Sequence, residues 1–108
     1  MIRFSGMGTV SRKTDLAYSQ DGKPYIFFSV DSPKQYVKEG SKPLESNDFS
    51  IFGPVAEEFD AAVNVGDTVM AYGTVQRRKR DEKWETQLLI DEVQVGGRLI
   101  NYSSAKKN

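Results

Sequence analysis

The chain has 108 residues, enough for one domain with a single modest core and too few for two. It contains neither cysteine nor histidine, which excludes hydrolysis by Ser/His/Asp or Cys/His arrangements and any thiolate or imidazole metal site. Fifteen basic residues balance fifteen acidic ones, so affinity for a polyanion has to come from how charge is distributed, not from its total.

The first ten residues, MIRFSGMGTV, alternate and carry Gly6 and Gly8, which suits a strand that must bend. Asp21-Gly22 is a hairpin-turn signal, because glycine tolerates the positive φ that tight turns require. The strand that follows sets Ile26, Phe28 and Val30 at one parity and Tyr25, Phe27, Ser29 and Asp31 at the other, so one face is core and the other partly exposed. Residues 32–47, SPKQYVKEGSKPLESN, read as a polar loop, with Tyr36 between Lys34 and Lys38 and with Lys42 beyond them. In the third strand, DFSIF, Phe49 and Ile51 share one side, while Phe52 shares its parity with Asp48 and Ser50. That phase makes Phe52 an aromatic reached from outside.

Gly53-Pro54 then changes the period. Proline suits a first helical position, Val55, Phe59 and Ala62-Val63 recur at helical spacing, and Glu57 and Glu58 favour the positive end of the dipole. A short helix over 54–63 is expected, closed by a turn around Gly66. Two long strands follow: TVMAYGTVQRR, with Val69, Ala71, Gly73 and Val75 inward, and KWETQLLIDEVQV, with Leu88 and Ile90 inward, joined at Asp81-Glu82. Three strands, a helix and a closing pair of strands make an all-β layout like that of the OB fold, a five-stranded Greek-key barrel.

Charge is concentrated in the last hairpin. Residues 77–83 hold five of the fifteen basic residues, namely Arg77, Arg78, Lys79, Arg80 and Lys83. Beyond Glu92 no acidic residue remains, while Arg98, Lys106 and Lys107 follow. The carboxylates elsewhere stand singly or in adjacent pairs such as Glu57-Glu58, which reads as surface charge, so no enzyme, metal or cofactor is expected. No apolar run has the length of a membrane span and no signal peptide opens the chain, which points to a soluble cytoplasmic protein.

Four segments in order resemble the bacterial single-stranded DNA-binding protein family: DLAYSQDGKPYIFFSV, FSIFGPVAEEF, VGDTVMAYGTVQRR and TQLLIDEVQV. The resemblance implies a DNA-binding OB fold over residues 1–96, usually homo-oligomeric as a tetramer or dimer, that coats single strands with little sequence preference in replication, recombination or repair. It implies that Phe52 stacks a base and that the basic hairpin follows the backbone. Family members usually continue into a linker and an acidic tip that recruits partners. Residues 97–108 are instead a short basic tail ending NYSSAKKN, as in tailless relatives carried by phages, plasmids or integrated elements.

A cationic groove interleaved with exposed aromatics is what such binding requires. The candidate DNA contacts are therefore Phe52, Phe27, Trp84, Tyr36, Lys34 and Tyr72 beside Arg77, Arg78, Lys79, Arg80 and Lys83. Each has a plainer reading: a solvated tip for the basic run, a barrel cap for Trp84, which has the phase of Leu88 and Ile90, and a subunit interface for Tyr25 and Tyr72. Leu99, Ile100 and Tyr102 are expected to pack on the body or on a partner subunit. The alternative function is a protein-interaction module with incidental nucleic-acid affinity.

Overall fold

The computed structural model describes residues 1–34 and 36–106, so the last two residues of the expected basic tail, Lys107 and Asn108, lie outside the described residues. The chain forms β1 (Ile2–Lys13), β2 (Ala17–Tyr18), β3 (Pro24–Pro33), β4 (Leu44–Phe52), α1 (Pro54–Ala62), β5 (Thr68–Arg80), β6 (Lys83–Val95), β7 (Arg98–Ile100) and α2 (Tyr102–Lys106). The five strands expected from alternation are β1, β3, β4, β5 and β6, with α1 between the third and fourth. They hydrogen-bond in the order β1-β5-β6-β4-β3, and β1 also pairs β3, which closes the sheet into a barrel. β4 meets β6 in parallel, with Ser50 opposite Leu89.

β1 reaches both neighbours because it bends. Its first half pairs β5 from Ile2–Val75 to Thr9–Thr68, and its second half pairs β3 from Thr9–Asp31 to Lys13–Phe28. Gly8 sits at the crossing, where an added Cβ would lie 2.7 Å from both the Ser32 hydroxyl and the Val30 side chain. A side chain would part the strands there. At the far side of the barrel β5 and β6 shift register between Tyr72 and Gly73, and a Cβ on Gly73 would collide with the Leu89 carbonyl.

The core is the inward set of each strand closed off by α1. Ile26, Phe28 and Val30 of β3, Phe49 and Ile51 of β4, Val69 and Ala71 of β5 and Ile90 and Val93 of β6 are buried against Val55 and Phe59 of the helix. Phe28 is the hub, its ring 4.5 Å from that of Phe59 and 5.3 Å from that of Phe49. Lys13 reaches from β1 to the end of α1, donating to the carbonyls of Asp60 (3.0 Å) and Val63 (2.8 Å) and so satisfying two acceptors that the helix leaves open.

Two expectations are corrected. Residues 32–47 are not all loop, because the β3–β4 ladder continues outward through Val30–Asn47, Asp31–Ser46, Ser32–Glu45 and Pro33–Leu44. Those residues lack apolar alternation, but backbone pairing with an already formed strand needs none, and the ladder ends only at Pro33–Leu44. Glu58 is not surface charge. It is buried, and its carboxylate accepts from Arg98 (3.1 Å) and from the Ser104 hydroxyl (2.7 Å). Ile100 packs on the body, as expected: β7 extends the sheet beside β6 and Ile100 is fully buried, while Leu99 and Tyr102 remain largely exposed. Among the described residues, no helix is long and apolar enough to cross a membrane.

Candidate nucleic-acid interface

The outward parity of β3 and β4 places three aromatic rings side by side. Tyr25 pairs with Phe52 across the ladder, and Phe27 follows two residues on. Ring centroids lie 5.6 Å apart for Tyr25–Phe27, 6.2 Å for Tyr25–Phe52 and 6.3 Å for Phe27–Phe52, the last edge to face. Phe27 and Phe52 are each 41% exposed, which is unusual for phenylalanine and leaves ring surface free for a planar partner.

Backbone contacts from neighbouring elements hold this cluster. Phe27 donates its amide to the Thr14 hydroxyl (3.1 Å) and accepts from the Thr14 amide (2.9 Å), while Gly53, next to Phe52, donates to the Pro24 carbonyl (2.8 Å). The turn before β3 is tied by Ser19, whose hydroxyl donates to Asp21 and accepts from the Lys23 amide (3.1 Å). The Ser19 hydroxyl, more than any other group, holds the Asp21 carboxyl below its ordinary pKa. That fixed turn delivers Ser19 and Lys23 to the edge of the aromatic cluster.

The fourth wall comes from the last hairpin. Tyr25, Phe27 and Phe52 line a cleft of about 390 Å³ together with Ser19, Lys23, Arg78, Arg80, Glu85 and Gln87. Three cations thus face one carboxylate over an aromatic floor. A neighbouring hollow shares Phe27 and continues past Ser50 to Arg12, which reaches Ser29 (3.4 Å) and Asp48 (3.7 Å).

The sequence pattern of the single-strand binding protein family matches residues 1–99. The chain belongs to that family. A solved structure, the SSB domain of a protein from Synechococcus sp., superposes with a TM-score of 0.67 at 22% identity, covering 87% of this chain and 94% of that one. It shares the fold. No curated protein sequence matches this chain at a significant level. As a single-strand binding family member, the protein is a DNA-binding protein without enzymatic activity.

The other sequence-derived candidates of this single-strand binding protein fall into three places. Arg77, Lys79 and Trp84 lie on the opposite face of the hairpin from Arg78, Arg80 and Lys83, because residues directly across the ladder share a face and the pairs are Arg77–Thr86, Lys79–Trp84, Arg78–Glu85 and Arg80–Lys83. Trp84 is 62% exposed, so it does not cap the barrel. Its strand keeps the inward phase but has outrun the core. Lys34 and Tyr36 sit beyond the far end of β3, a whole strand away from the Tyr25 cluster. Tyr72 is half-buried on the outward face of β5, between Ser5 and Glu92, and does not line the cleft.

Sequence reasoning singled out neither Lys23 nor Tyr25 as a site residue. Tyr25 had the right signal, since it shares the parity of Phe27, but parity alone does not separate a ligand face from a subunit interface. Lys23 stands directly before the aromatic strand, in a turn whose chemistry fixes it.

Proposed function

We propose that this protein binds single-stranded DNA without reading its sequence, in the cleft floored by Tyr25, Phe27 and Phe52. The observation that carries the reading is the meeting of exposed Phe27 and Phe52 and half-buried Tyr25 with Lys23, Arg78 and Arg80 in one cleft. Every base has a π-face, so stacking on the rings is indifferent to sequence, at about 1–3 kcal/mol per base. The cations hold the phosphates between stacked bases. Each neutralised phosphate releases counterions and adds about 0.7 to the slope of log affinity against log salt for a single strand. Lys83, paired with Arg80 on the same hairpin face, extends this track.

Coating and protecting exposed strands in replication, recombination or repair is the role such binding serves. Homo-oligomerisation fits the opposite side of the barrel, where Met7, Met70 and Leu99 lie in one cross-strand row and Met7 and Leu99 are 60% and 47% exposed. The function is tested by titrating protein into a fluorescently labelled oligo-dT, and into a duplex of equal length, at several salt concentrations. Salt-sensitive binding to the single strand with little binding to the duplex is expected. Equal affinity for both would refute the reading, and salt-independent binding would remove the phosphate contacts.

A further inference from the structure

A file of rings runs through the barrel, from Phe59 of α1 to Phe28, Phe49 and Phe4, with successive centroids 4.5, 5.3 and 5.7 Å apart. The helix covers one end of this file. At the other, beyond the nearly parallel Phe4 and Phe49 rings, the barrel opens into a hollow of about 400 Å³ floored by these two residues and Leu88. Leu88 pairs with Val75, and from there the β5–β6 hairpin runs on as a free ribbon to its turn at Asp81 and Glu82. The hollow exists because β1 leaves an inward position empty. Gly8 has no room for a side chain, but a Cβ on Gly6 would meet nothing nearer than the edge of the Phe49 ring at 3.6 Å, an ordinary contact, and Gly6 has no positive φ to protect. Glycine weakens a strand interior, so a side chain that would fill space and stiffen β1 is missing where nothing forbids it.

The outer part of the β3–β4 ladder forms one wall. Glu45 and Asn47 share the parity of Phe49 and border the hollow, while the Ser32 hydroxyl is engaged by the Met7 carbonyl (2.7 Å). Among the described residues, exposed Glu45 is the one charged group on this lining, and it takes part in no ion pair. The two concavities therefore differ in sign: Lys23, Arg78 and Arg80 outnumber Glu85 in the aromatic cleft, whereas a lone carboxylate marks the barrel mouth. We propose that this mouth is a binding site for a small organic monocation with a flat apolar body, an arylalkylammonium ion. Its ring packs against half-buried Phe4 and Leu88, and its ammonium donates to the Glu45 carboxylate and the Asn47 side-chain carbonyl. An apolar concavity with a few polar groups at a barrel mouth suits a ligand of this size. Glu45 repels a nucleotide, and a polycation would find one carboxylate for several charges. The site is separate from the aromatic cleft and does not depend on strand binding there.

The test titrates phenethylamine, phenethyl alcohol and hydrocinnamate, which share a ring and chain and differ in charge, into the full chain at neutral pH while the protein's NMR shifts are followed. The ammonium should move the signals of Phe4, Gly6, Glu45 and Leu88, leave Tyr25, Phe27 and Phe52 in place, and bind about fivefold more tightly than the alcohol, with the carboxylate weakest. Glu45→Gln should reduce the ammonium to the affinity of the alcohol. Gly6→Ala should weaken both ligands and raise the thermal midpoint, because it fills the hollow. Equal affinity for all three probes, shifts confined to the aromatic cleft, no shift with the ammonium, or a Glu45→Gln protein that still prefers it would each overturn the proposal.

Discussion

On β3 and β4 the outward rings of Tyr25, Phe27 and Phe52 stand beside Lys23, Arg78 and Arg80, whose charges are not neutralised by any carboxylate in an ion pair among the described residues. On the β1–β5–β6–β7 side the outward row Met7, Met70 and Leu99 stands among charges already satisfied. Arg3 is bonded to Asp91 through both terminal nitrogens, which raises its pKa further, Glu92 accepts from Asn101 (3.3 Å), and Arg98 is held by Glu58. Both faces offer apolar surface to a partner. Only the first also offers charge without requiring an existing pair to break, which is why the proposed single-strand site is set there. The second, with its charges spent internally, suits a neutral, apolar contact.

The sharpest way to break this contrast is to remove the stacking floor. Phe52→Ala should weaken oligo-dT binding by about 1–3 kcal/mol and leave the fold intact, because Phe52 is exposed and outside the core. Equilibrium binding beside a thermal melt checks both halves of that statement. Arg78→Ala with Arg80→Ala should lower the salt slope by about 1.4, and a slope equal to that of the unaltered protein would make the basic run a solvated tip. Tyr72→Ala, on the other face, should leave DNA affinity unchanged, because Tyr72 does not line the cleft. A loss would erase the distinction between the faces. The smallest effect concerns the ribbon's turn: non-glycine residues in the left-handed region cost about 1 kcal/mol each, so Glu82→Gly should raise stability by up to that amount, read as a higher denaturation midpoint.

Alternation in the sequence already separated Phe27 and Phe52 from Phe28, Phe49 and Ile51, because a strand's period of two needs no knowledge of its neighbours. It likewise split Arg77 and Lys79 from Arg78 and Arg80. What it could not show was which face of the ribbon meets the aromatic floor. That depends on barrel closure, which sets β6 beside β4 through the Ser50–Leu89 pair. Glu58 was misjudged for a related reason: its partners Arg98 and Ser104 are at least 40 residues away in sequence. The outer half of β4 was missed because Glu45, Ser46 and Asn47 are strand by pairing with β3, not by their own apolar pattern. Trp84 kept its inward phase yet is exposed, since phase records direction and not how far the strand extends past the core.

The central claim, that single strands lie on the Tyr25–Phe27–Phe52 floor and not on the Met7–Met70–Leu99 face, is tested most directly by mapping chemical-shift changes in the protein's NMR spectrum as oligo-dT is added. Large shifts are predicted at Tyr25, Phe27, Phe52, Lys23, Arg78 and Arg80, with Met7, Met70, Tyr72 and Leu99 unmoved. Shifts concentrated on the methionine face, with the aromatic cleft silent, would contradict the account.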